Sequence, residues 1–322
     1  MEPLVRITIA TSPAEIERLR PAWERLHDRE RQSIFQDYTL NCLAATHFAE
    51  RESPYIMMAE SESSVAIVPA AVRKHDGSIT LLGETLFDYR DVLCGGTNEA
   101  LEAAWAEIAK LQRRLSFFAV HPDAQARWQM IPMHDFANAP RVRAADCDSD
   151  EFRASHNKLG MFYRRMIKRG AHLFTHAGDN CALIRTIYER KASQFPHETN
   201  NIFLDPHRRE FMEVACAALG SRCEIFSLEI GTELIAALVT LRDHTVRRFY
   251  TVYFHPAWSK FSPGVVLIYE VTARSLTEGL DCDYLTGEYG YKNRLATAMV
   301  PLRRVEASAE ELAAIAARKK AA

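Results

Sequence analysis

One order of segments occurs twice in this chain. In each half, stretches with helical periodicity are followed by three strand-like runs, then a helix, then a further strand. The first half opens on residues 4–10 (LVRITIA), which alternate apolar and polar side chains as a half-buried strand does. Ser12 is a good N-cap and Pro13 suits a first helical position, so a helix is predicted over 14–30, with Pro21 kinking or restarting it. A helix over 38–50 follows, then runs at 55–60, 65–74 and 79–83, a helix over 98–112 and a strand over 115–120. The second half reads as a basic helix over 156–170, a short strand 172–177 and helices 181–195 and 207–220. Strands 223–230, 234–243 and 246–254 come next, then a helix and a strand over 282–287. Residues 299–307 predict a last strand and 309–320 a terminal helix. The letters do not repeat, only the order. Two similar α/β units are therefore expected, 1–145 and 146–322, divided near the weakly periodic stretch 135–150.

A chain of 322 residues is long enough for two cores. At 48% hydrophobic and 25% charged it has the make-up of a globular protein, and its net charge of −2 gives no support for general DNA or RNA binding. Any basic patch must be local. The seven cysteines are scattered without a CxxC pair, which argues against a zinc site or disulfide framework and suits reduced thiols. The first residues lack a basic region followed by an apolar run, and no stretch reaches the roughly 18 uninterrupted apolar residues of a membrane helix. A cytoplasmic protein without metal is the expectation.

The stretch 258–271 (WSKFSPGVVLIYEV) concentrates the functional signal. Ser262 suits an N-cap, Pro263 a first helical position, and Gly264 leaves the backbone uncovered, while Gly279 stands where a C′ glycine would. Leu267, Ile268 and Val271 set an apolar face. These features describe a well-capped core helix. They equally describe an anion site, because the first amides of a helix have no internal partner and lie at the positive end of its dipole. Lys260, Phe261, Ser262, Pro263, Gly264 and Val265 would then hold a phosphate, with Lys260 adding a full charge.

Position favours the second reading. A strand leading into such a loop and helix, then another strand, resembles the core of the Gcn5-related N-acetyltransferase (GNAT) fold. Residues 250–296 are similar to the C-terminal half of BioF2-like and CelD/BcsL-type acetyltransferases through Ser262, Pro263, Gly264, Leu267, Gly279, Asp283, Gly287, Tyr291 and Lys292. Upstream, 88–94 (DYRDVLC), 158–171 (KLGMFYRRMIKRGA) and 190–195 (RKASQF) resemble further family stretches. Related FemAB aminoacyltransferases pair two such domains. Two departures stand out: the loop 258–264 holds one glycine instead of R/Q-x-x-G-x-G/A, and Leu295 stands near a common Trp.

The resemblance implies two tandem GNAT-like α/β (α+β) domains, each a mixed, mostly antiparallel sheet flanked by helices. It implies an N-terminal domain that helps form the acceptor groove and a C-terminal one that binds acetyl-CoA or another acyl-CoA. An acyl group, most simply acetyl, would pass to an amine of a small molecule or saccharide precursor. A backbone N–H near Tyr253 would polarise the thioester carbonyl, and His255, Glu288 and Tyr291 are candidate proton carriers. Lys292 would bind a phosphate or carboxylate, and Asp88, Tyr89 and Asp91 would face the acceptor. The basic run Lys158, Arg164, Arg165, Lys168 and Arg169, with Arg165 as the binding candidate, suits an anionic substrate or a plainly solvated face. Each residue also has a structural reading: His255 before Pro256 suits a turn, Tyr291 suits packing, and Asp283 and Glu288 suit local caps or local pairs. Two rivals remain, a FemAB-like enzyme using aminoacyl-tRNA and a silent scaffold in envelope-polysaccharide assembly.

Overall fold

The computed structural model describes residues 5–122, 131–194, 201–287 and 289–321. The chain divides into two compact units, one formed by 1–137 together with 301–322, the other by 138–300. The later part of the last strand and the last helix therefore belong with the first unit, not with the second as the sequence suggested.

In the first unit, β1 (Arg6–Ala10) pairs antiparallel with β2 (Glu52–Glu60), and β2 with β3 (Ser64–Arg73). Between β1 and β2 run α1 (Pro13–Arg29) and α2 (Tyr38–His47). Helix α1 begins as predicted, with Glu15 Oε2 accepting the amides of Thr11 and Ser12. It passes through Pro21 without interruption. Pro21 lies on the solvent side, where water can take the bond its missing N–H leaves. β4 (Ile79–Leu81) and the short β5 (Leu93–Gly96) both pair with β3, and α3 (Glu99–Ala109) leads to β6 (Leu115–Val120), parallel to β4. The core packs Trp105, Val68, Ile79 and Phe117 together with Leu312 from the C-terminal helix.

The stretch read as a divider is ordered. β7 (Met133–Val142) fills its first half, and residues 138–142 open the second unit. Then come α4 (Ser149–Ser155), capped by Asp148, α5 (Asn157–Ile167), β8 (His172–Ala177), α6 (Cys181–Gln194) and α7 (Pro206–Leu219). β9 (Cys223–Ile230), β10 (Glu233–Asp243) and β11 (Val246–Phe254) form an antiparallel meander with β8 at its edge. α8 (Pro263–Thr277) returns to β12 (Asp281–Asp283), which runs parallel to β11 and antiparallel to the end of β7. This strand ends four residues earlier than expected. The short α9 (Gly290–Leu295) precedes β13 (Ala298–Ala307), whose later residues complete the first unit's sheet against β6. α10 (Ala309–Ala321) closes the chain. Each unit is a mixed, mostly antiparallel sheet flanked by helices. No described helix is long and apolar enough to cross a membrane.

Candidate active site

The second unit is organised around a fork. β11 and β12 pair only over Val246–Arg248 and Asp281–Asp283, after which they part. Burial alone cannot hold two charged residues at that point, so they are neutralised together. Arg248 Nη1 reaches Asp283 at 2.6 Å, Arg248 Nε reaches Asp243 at 2.7 Å, and Arg141 Nη2 reaches Asp283 at 2.9 Å. Asp283, fully buried, also accepts the Leu285 amide at 2.9 Å, which turns the chain through Leu285 at φ +58° and Gly287 at φ +101°. Asp283 thus caps the turn at Leu285 and pairs with two arginines, in line with its structural reading, and is the clasp where the strands part. Tyr284 packs edge-on against Phe249 and hydrogen-bonds Thr272 through its hydroxyl.

Past the fork, β11 continues to Phe254. The His255 amide donates to the Ile235 carbonyl of β10 at 2.7 Å. Strand alternation then directs the Tyr253 amide to β10 as well, and turns those of Val252 and Phe254 to the open edge. On that edge Gln194 Nε2 reaches the Phe254 carbonyl at 3.3 Å. The expected donor at Tyr253 is therefore displaced by one residue. The buried Tyr253 ring lies under the Arg190 guanidinium.

After β11, a 3₁₀ turn over Pro256–Phe261 is capped by His255, whose Nδ1 accepts the Ala257 amide at 3.2 Å. His255 shapes this turn, as its structural reading held. Ser262 occupies the N-cap position of α8 but adopts the left-handed conformation (φ 49°, ψ 52°), and its hydroxyl makes no capping bond. Its carbonyl accepts the Val266 amide at 3.0 Å. Pro263 has no N–H, so the Gly264 and Val265 amides are the donors left at this helix start, and no acidic residue stands in the first turn. Gly264 lies directly on β11. A Cβ there would sit 3.2 Å from Val252 Cγ2 and 3.5 Å from Phe254 Cβ, so a side chain at 264 would press on Val252 by a few tenths of an ångström.

Charge gathers at the same point. Lys260 Nζ lies 5.3 Å from the centre of the Phe261 ring, and the Arg169 guanidinium lies 4.7 Å from that same ring. Arg169, which follows α5 in the sequence, was not singled out at this loop, since only the packing of α5 against α8 brings it there. The corresponding helix of the first unit is unlike it. α3 carries Glu99 and Glu102 in its first turn, and its Ala100 amide is taken by Ser64 Oγ at 3.0 Å, so an anion is repelled there.

The remaining candidates separate. Tyr291 is half-buried, stacks on Tyr289, and has its phenol pushed up to about 12, by burial first and by Tyr289 second. Lys292 is buried with Nζ donating to the Thr286 carbonyl at 2.7 Å, so it braces the loop after β12 rather than presenting an open phosphate ligand. Arg165 is exposed on α5 beside Phe162. Glu288 and the end of the 190–195 stretch lie outside the described residues. In the first unit, Tyr89 and Asp91 are buried. Tyr89 meets Phe35 and His121 edge-on, and Asp91 accepts the Val92 amide at 2.7 Å, while Asp88 is half-buried. The residue between them, Arg90, escaped the sequence reading. It is 2% exposed and donates to the Leu81 and Leu82 carbonyls, and burial lowers its pKa to about 10. Cys282 is buried with its thiol pushed up to about 12 by burial, and Cys223 is buried too.

Comparison with known proteins bears on this arrangement. Residues 161–293, which include α8 and both arms of the fork, match the acetyltransferase (GNAT) domain family. No curated protein matches. Among solved structures, the C-terminal domain of a putative lysylphosphatidylglycerol synthetase from Agrobacterium fabrum aligns at 11% identity over 94% of this chain and 96% of that one, with a TM-score of 0.58. FemX aligns at 10% identity over 81% and 90%, with a TM-score of 0.54. A tandem GNAT protein from the clavulanic acid biosynthesis pathway aligns at 10% identity over 95% and 99%, with a TM-score of 0.52. At such identities the likeness is one of fold, and it extends over both units.

Proposed function

We propose that this chain, whose residues 161–293 match the GNAT domain family, is an acyltransferase of that superfamily related to FemAB, with acyl-CoA as the donor and an amine as the acceptor. The observation that carries this reading is the start of α8, with two donating amides, no acid in the first turn, and two cations on one aromatic ring beside a forked strand pair. A diphosphate seated on the Gly264 and Val265 amides directs the pantetheine arm along the open edge of β11. There the Val252 or Phe254 amide polarises the thioester carbonyl as negative charge develops in the tetrahedral transition state. The attacking amine loses its proton to water or to a side chain of the acceptor face. The C–S bond then breaks, and the Tyr291 hydroxyl, which burial keeps protonated, donates a hydrogen bond to the departing thiolate, which takes up the proton the amine has released.

The acceptor class that fits the superfamily chemistry is a small molecule or saccharide precursor with a primary amine. The test is thiol release from acetyl-CoA in the presence of a panel of amines, amino sugars included. Amine-dependent release supports the reading. Absence of release with every amine from the folded protein, when a thioester of another carrier is consumed, contradicts it.

A further inference from the structure

We propose that the exposed face of α5, from Lys158 through Arg165 to Arg169, binds the phosphates of the acyl donor's nucleotide portion. This rests on the reading of the α8 start as the donor loop, and it extends that site onto a second element. Positions 158, 162, 165 and 169 recur at helical spacing and form one stripe. Lys158 Nζ and the Arg165 guanidinium lie 5.9 Å and 6.0 Å from the centre of the Phe162 ring. Arg169 lies over Phe261, the ring that Lys260 also approaches, so the stripe runs directly into the donor loop.

These cations are held without acids. Lys158, Arg164, Arg165, Lys168 and Arg169 are all exposed, and among the described residues none of them meets a carboxylate. Elsewhere in the same unit, Arg143 pairs with Asp146, Arg153 with Glu270 and Arg185 with Glu213. The like-charged pairs 164/168 and 165/169 are four apart and repel. The helix dipole offsets that repulsion at Arg164 and Arg165 in the last turn and at Lys168 on the C-cap, but it opposes Lys158 in the first turn. A cation kept at the unfavourable end, facing the same aromatic ring as Arg165, is explained by an anionic ligand and not by the helix. From 158 to 169 the stripe spans roughly 16 Å at the α-helical rise. That is longer than a diphosphate at the α8 start needs, and suits a nucleotide carrying a further phosphate with its base against Phe162. Two donors share this chemistry: the 3′-phosphorylated adenosine end of coenzyme A, and the acylated 3′ end of an RNA.

The experiment compares wild type with the double variant Lys158→Gln/Arg165→Gln, whose exposed positions spare the core. Calorimetric titrations use coenzyme A, 3′-dephospho-coenzyme A, S-acetylpantetheine and a short RNA hairpin ending in single-stranded CCA. The expected result is coenzyme A affinity about tenfold weaker in the variant, a smaller loss for the dephospho form, and pantetheine binding unchanged. If wild type ignores coenzyme A but binds the RNA, and the variant loses it, the stripe stands with RNA as its source and the coenzyme A reading falls. Equal affinity of both proteins for whichever nucleotide binds overturns the stripe and leaves the donor loop standing. No binding of any probe by folded wild type overturns both.

Discussion

Replacing Asp283 by alanine tests whether the fork is held by charge. The Asp283 carboxylate is fully buried and accepts from Arg248 at 2.6 Å, Arg141 at 2.9 Å and the Leu285 amide at 2.9 Å. Removing one partner of a buried ion pair costs about 3–5 kcal/mol, because the other charge stays where water cannot reach it. The stranded Leu285 amide adds about 1–3 kcal/mol. Asp243 still faces Arg248, at 2.7 Å, and offsets part of the loss. A net destabilisation of about 4 kcal/mol follows. With a urea m-value of about 3 kcal/mol/M, the unfolding midpoint of Asp283→Ala should fall by about 1.3 M. Asp283→Asn keeps the shape and the bond to Leu285 but not the charge, and should fall in between. Urea titration followed by tryptophan fluorescence and circular dichroism reads both. A midpoint shift of Asp283→Ala below about 0.3 M at unchanged slope would refute the reasoning, since the arginines would then be satisfied without the carboxylate.

Three further outcomes are expected. Tyr291→Phe should lower kcat with a thioester donor about 100-fold while leaving donor affinity intact, as stopped-assay kinetics and calorimetry would measure together. Because burial raises the Tyr291 pKa to about 12 from an ordinary 10, its neutral form stabilises the fold fully below pH 10. That contribution is lost as pH rises from 10 to 12, so wild type should lose more stability over this range than Tyr291→Phe in alkaline unfolding curves. Arg90→Ala should destabilise the first unit by about 3–5 kcal/mol, since it strips buried Glu52 of a neighbouring positive charge and leaves the Leu81 and Leu82 carbonyls without their donor; a loss under about 1 kcal/mol in chemical unfolding would contradict this.

What the sequence disclosed was local. Ser12 and Pro13 mark the start of α1 because capping is decided within four residues, and Gly279, at φ +71°, ends α8 for the same reason. The meander β9–β11 was readable from its alternation and turns. What stayed hidden was long-range. β13 completes the first unit's sheet from the far end of the chain, and no periodicity tells a strand which sheet it joins. Asp283 meets Arg248, Arg141 and, through Arg248, Asp243, three residues scattered over more than a hundred positions. Lys292 was a candidate phosphate or carboxylate ligand because nothing in its neighbours signals that the chain folds back to offer the Thr286 carbonyl. Arg169 reaches the donor loop for a like reason. Gly160 allows α5 to approach α8 so closely that a Cβ there would lie 2.9 Å from the Tyr269 hydroxyl, and a single glycine in a basic helix does not announce that contact.

The central claim is that the first amides of α8 hold the donor's diphosphate. Amide hydrogen exchange, followed by mass spectrometry with and without saturating coenzyme A, tests it most directly, because the Gly264 and Val265 amides have no partner within the helix. The account predicts slowed exchange in the peptide covering 261–267, with lesser protection along the end of β11. Binding of coenzyme A with no change in that peptide would place the donor elsewhere and contradict the account.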